Sequence, residues 1–141
     1  MESPMSPEEA FASIALAAVA CDGSVTREEA ALLRGTLEGR HPYGERSEES
    51  MGQLFEGLLD QLQTHGWEVL VSRAIPLLQP HQRETALAMA AHLIHADRSV
   101  SSEERRLLAE MARQMALPEG RAAQIQEAIE LLHRDCLRPG R

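Results

Sequence analysis

Two stretches of the chain carry carboxylates at a spacing that could hold a cation. Cys21-Asp22-Gly23-Ser24-Val25-Thr26-Arg27-Glu28-Glu29 is echoed by Ala96-Asp97-Arg98-Ser99-Val100-Ser101-Ser102-Glu103-Glu104, without a gap and at a constant offset of 75 residues. The Asp, Ser, Val and both Glu positions are identical, Thr26 answers Ser101, and Leu32-Leu33 answers Leu107-Leu108. Carboxylates are hard oxygen donors. Four of them brought together repel one another until a divalent cation or a basic partner group neutralises them. The candidate set is Asp22, Glu29, Asp97 and Glu104, with Glu28 and Glu103 as second choice. The candidate ions are calcium, magnesium, manganese and zinc.

The same residues have a plainer duty. Thr26 and Ser101 stand where a helix begins, and Glu29 and Glu104 follow three residues later, so each pair spells a capping box. Ser6 and Glu9 spell a third one outside the duplicated stretch, so the box alone says only that a helix starts. Helical geometry adds something to Glu29 and Glu104. At 100° per residue each lies about 40° from a leucine, Leu33 or Leu108, and so edges the buried face. Glu28 and Glu103 lie about 140° from those leucines and read as solvated. Asp22 and Asp97 follow a helix C-terminus, where the dipole disfavours an anion unless turn N–H groups or a cation compensate. Gly23 supplies the positive φ of a tight turn, which Arg98 forfeits.

Asp-Gly-x-Val-Thr-x-x-Glu is also the second half of a calcium loop. With Glu29 at the twelfth loop position, the first and third positions are Ala18 and Ala20, and in the second copy Leu93 and His95. Half the ligands are missing in each copy, which excludes an EF-hand. A cation site here would have to be shared between the two copies.

The elements that position these residues read as helices throughout. The palette of Ala, Leu, Met, Glu, Gln and Arg leads the helix scale, and aromatics are only 3% of the 141 residues. Seven segments carry helical periodicity: Pro7 to about Cys21, Thr26 to Glu38, Ser47 to Gly66, a short one from Trp67, Pro80 to Ala96, Ser101 to Ala116, and one opening at Pro118. The first and fifth are apolar almost all round and should be central. The seventh carries Ile125, Ile129 and Leu132 along one face. Gly39 to Gly44 reads as a loop, and Trp67 and Phe55 as core. No segment alternates with a strand period. The expected fold is all-α, a compact bundle of seven helices with two pseudo-symmetric helix–turn–helix repeats. It should occupy residues 6–136 as one domain, with a disordered tail at 1–5 and a frayed one at 137–141.

On these two motifs, and on the core helices around Phe11-Ala12-Ser13-Ile14-Ala15-Leu16 and Arg83-Glu84-Thr85-Ala86-Leu87-Ala88-Met89-Ala90, the chain resembles the TerB family of tellurite-resistance domains from Ala10 to about His133. The resemblance implies a compact seven-helix domain with an acidic face and no catalytic activity. It also implies a link to tellurite and other chemical-stress responses, through metal binding or docking into membrane-associated assemblies. Carried over by position, the implied site is Asp22, Glu29, Asp97 and Glu104. Arg98 departs from the family's glycine and sets a cation beside the second half.

Net charge of −8 excludes a phosphate-binding nucleic-acid surface and favours cations or basic protein patches as partners. Cys21 and Cys136 lack ligand spacing and read as small fillers in a reducing, cytoplasmic setting. No apolar run reaches the roughly 20 residues that span a membrane. His92 and His95 stand three apart on a buried helix with Asp97 close behind; zinc would need a third ligand placed there by chance, so they read as core or rim histidines. The arginines Arg134, Arg138 and Arg141 make a thin basic tail, read as solvated. The common catalytic templates are missing, and an adaptor domain that docks a partner protein or a second copy of itself, without metal, is the alternative to a cation-binding module.

Overall fold

The computed structural model describes residues 5–96 and 99–134. Among them the chain forms seven α-helices and no strand: α1 (Pro7–Ala20), α2 (Arg27–Glu38), α3 (Glu48–His65), α4 (Trp67–Ala74), α5 (Pro80–His95), α6 (Ser102–Met115) and α7 (Arg121–Leu132). Short 3-10 turns at Tyr43–Glu45 and Ile75–Leu77 join α2 to α3 and α4 to α5. The all-α expectation holds. No helix among the described residues is long and apolar enough to cross a membrane.

α1 is the axis of the molecule. From Ala10 to Ala20 every residue except Phe11 is buried, and α1 packs against α2, α3, α4 and α5. Six alanines in that stretch let neighbouring helices approach closely, while Ile14, Leu16 and Val19 fill the gaps. Its one buried hydroxyl, Ser13, donates to the Glu9 carbonyl one turn back at 2.7 Å, so no polar group is left unpaired there. α5 lies against α1 and carries α6 and α7 on its flanks. Leu33 and Leu37 of α2 and Leu107, Leu108, Met111 and Met115 of α6 close the core from outside.

The caps fall where the side chains dictate. Ser6, Thr26 and Ser101 each accept from the backbone N–H three residues on, and Glu9, Glu29 and Glu104 each return a bond to the cap N–H. Gln79 and Gln82 form an equivalent box before α5. Arg83 ties that end of α5 to its surroundings by donating to the Leu78 and Met115 carbonyls, at 2.9 and 3.1 Å. The second of these is the C-terminal carbonyl of α6, where a cation suits the helix dipole.

The seventh helix corrects the reading of the sequence. It starts at Arg121 and not at Pro118, because Ala116 and Gly120 both take left-handed backbone, at φ 50° and 81°, and fold the segment between them into a turn. Of the residues read along one face, Ile125 and Ile129 are packed against the core, while Leu132 is 70% exposed. α7 has no fully buried residue.

Candidate functional site

The two duplicated junctions lie at one end of α1. Glu28 and Glu29, from the first turn of α2, and Glu104, from the first turn of α6, line one cavity of about 250 Å³. Its other walls are apolar: Ala18 and Val19 of α1, Leu32 of α2, and Leu93 and Ala96 at the end of α5. Each copy contributes the helix start of its motif, and the ends of α1 and α5 supply the floor. Three acidic residues from two distant sequence positions thus line one opening.

Capping fixes the carboxylates rather than competing with this. Glu29 Oε1 accepts from the Thr26 N–H at 2.9 Å, and Glu104 Oε1 accepts from the Ser101 N–H at 2.8 Å. The other oxygen of each carboxylate takes no part in its cap. Asp22 does not line the cavity. Its Oδ1 accepts from the Ser24 N–H at 3.0 Å and the Ser24 hydroxyl at 3.2 Å, closing an Asx turn on solvent. Gly23 in that turn has φ 89°, as expected, and its carbonyl accepts from Gln63 Nε2 of α3 at 3.0 Å. Asp97 and Arg98 lie outside the described residues. Among the described residues no group of three or more His, Cys, Asp or Glu side chains is arranged to hold a metal ion.

Cys21 senses both junctions. Its thiol is pushed up to about 11, first by burial and then by the negative charges of Glu104, Asp22 and Glu103. Acids of the second copy therefore act on a residue of the first. A thiol held that high stays protonated at neutral pH and is a poor nucleophile. Cys136 lies outside the described residues.

Glu103 is partly solvated, as expected, with a side chain 44% exposed, but it also has partners. It accepts from the indole N–H of Trp67 at 2.8 Å and pairs with Arg106 at 3.1 Å. Arg106 also pairs with Glu68 at 2.8 Å and stands 5.2 Å from the Trp67 ring centroid. Helix periodicity places Glu103 away from the leucine stripe of α6 but is blind to α4, which covers that side with Trp67. The sequence carried a hint, since a buried tryptophan needs an acceptor for its N–H.

The histidine pair on α5 also gains a neighbour. His92 Nδ1 and His133 Nε2 are 2.9 Å apart, and the His95 and His133 rings are 6.1 Å apart between centroids. His133 stands just beyond α7, 38 residues from His95, too far along the chain for local spacing to reveal it. The contact closes the end of α7 onto α5.

Compared with family models, characterised proteins and solved structures, the chain matches none. The reading of its function rests on its own residues.

Proposed function

We propose that this chain is a non-enzymatic binding module of the TerB type, whose acidic cavity between the two duplicated junctions receives a cationic group. One observation carries the reading: Glu28, Glu29 and Glu104 line one cavity although they come from motif copies 75 residues apart. The cavity favours the side chain of a basic partner protein. Val19, Leu32 and Leu93 suit the methylene stem of a lysine or arginine, and the three carboxylates suit its head. A divalent ion in the same place is the second reading. It is favoured by the repetition of Asp and Glu in both copies, and it would draw on the second Glu29 and Glu104 oxygens.

Glutamine can replace glutamate in a capping box, so Glu29→Gln/Glu104→Gln removes two charges while keeping both caps. Calorimetric titration of the wild type with an oligolysine peptide, and with calcium, magnesium, manganese and zinc, is the test. Binding that the double variant abolishes supports the reading, and the probe that binds chooses between its two forms. No heat with any of these probes, or heat that the double variant leaves unchanged, removes it.

A further inference from the structure

We infer that a second cavity, at the other end of α1, binds a small organic anion with an apolar body, such as an aryl or medium-chain alkyl carboxylate. This cavity has a volume of about 590 Å³, within the range of about 300–1,000 Å³ usual for small-molecule sites. Its apolar surface comes from Phe11 of α1, Pro42 and Tyr43 of the loop after α2, and Leu78 before α5. Its polar rim carries Arg40, His41 and His81.

The charge balance points to an anion. Glu8 is the one carboxylate among the lining residues, and it is already bound by the Arg46 guanidinium. His41 faces Glu45 at 3.3 Å, both highly exposed. Arg40 makes no side-chain hydrogen bond or ion pair among the described residues. In a chain of net charge −8, this cavity of about 590 Å³ thus has an uncommitted arginine and two aromatic residues, Phe11 and Tyr43, among its lining residues. The N-termini of α1 and α5 open nearby, but both are closed by their own capping boxes, so the side chains carry the argument. A guanidinium offers a carboxylate two parallel N–H donors, and an ammonium or metal ion would be repelled there.

The wall is also built in advance. The buried Tyr43 hydroxyl donates to the Glu8 carbonyl, and Arg46 bridges from Glu8 to the Ser50 hydroxyl, the latter at 2.9 Å. Gly44 packs so closely that a Cβ there would stand 2.7 Å from the Glu38 carbonyl oxygen. A loop held at three points loses little freedom when a ligand arrives, which lowers the cost of binding.

The site shares no lining residue with the acidic cavity, so either reading can fail alone. Amide NMR titration of the full chain with 3-phenylpropionate and octanoate, against the neutral alcohols of the same skeletons and octylamine, is the test. The carboxylates should perturb Phe11, Tyr43 and His81 and bind about tenfold tighter than the alcohols, with the amine weakest. Arg40→Gln, an exposed loop substitution whose folding the same spectra verify, should bring the carboxylates down to the affinity of the alcohols. Equal binding of acid and alcohol, perturbations mapping elsewhere, unchanged carboxylate affinity in Arg40→Gln, or no binding by either carboxylate overturns the inference.

Discussion

Trp67 of α4 donates its indole N–H to Glu103 in the first turn of α6, across 2.8 Å, in a site where the tryptophan is only 3% exposed. Together with the Arg106–Glu68 ion pair, this contact joins α4 to α6, and it uses a residue that also belongs to a duplicated motif. Glu103→Ala leaves the indole N–H buried without an acceptor, at a cost of about 1–3 kcal/mol. Glu103→Gln keeps an acceptor and should recover most of the loss. Urea unfolding followed by the fluorescence of the single tryptophan measures both. Equal stability of the alanine and glutamine variants would show the hydrogen bond to be irrelevant.

Much of this fold was legible because its signals are local. Ser6, Thr26 and Ser101 announce helix starts through their own hydroxyls, and Gly66 ends α3 through its own φ of 86°. The burial of α1 from Ala10 and of α5 from Ala86 to Ile94 follows from apolar residues nearly all round those stretches. What stayed hidden depends on a second element arriving from far along the chain. The bond from Trp67 to Glu103 is unseen until α4 is placed, the contact of His133 with His92 until α7 folds onto α5, and Tyr43 is an ordinary loop residue until α1 offers the Glu8 carbonyl. The shared acidic cavity is intermediate between these cases. The edge position of Glu29 and Glu104 was readable from helix geometry, but the meeting of the two copies needed the packing of α1 against α5.

The N-caps offer a direct check on what the duplicated residues do for stability. Thr26→Ala and Ser101→Ala each remove an acceptor for the N–H of a glutamate three residues on, at 3.0 and 3.1 Å, and should each cost about 1 kcal/mol. Glu29→Gln, which retains the reciprocal bond, should change the urea midpoint far less. A loss in Glu29→Gln equal to that in Thr26→Ala would mean that its charge, and not its cap, is what the fold uses.

Cys21 gives a chemical readout of the same neighbourhood. With its pKa near 11 in place of an ordinary value near 9, roughly one-hundredth as much thiolate is present at pH 8. In a Cys136→Ser background, iodoacetamide should therefore alkylate the folded protein about a hundredfold more slowly than the urea-unfolded chain. Adding Glu104→Gln should quicken the reaction, by much less than the whole deficit because burial is the leading cause. The sign of the linked stability follows. The unfolded thiol loses its proton first, so the contribution is full below pH 9 and falls away as pH rises from there towards 11. Alkylation at the unfolded rate would show that the thiol is neither buried nor crowded by charge.

Glycines separate the positions that need one from those that do not. At Gly44 an added Cβ would stand 2.7 Å from the backbone oxygen of Glu38, an atom that cannot swing aside, so Gly44→Ala should destabilise by about 1–3 kcal/mol. At Gly52, inside α3, a Cβ meets nothing within 4 Å. Gly52→Ala should stabilise by about 0.5–1 kcal/mol, since alanine loses less backbone freedom in a helix. Gly44→Ala should also loosen the loop that walls the larger cavity, seen as faster amide exchange from Tyr43 to Arg46, which Gly52→Ala leaves untouched. If both substitutions shift the urea midpoint the same way, the close approach of the loop to the end of α2 does not exist in solution, and the preformed wall goes with it.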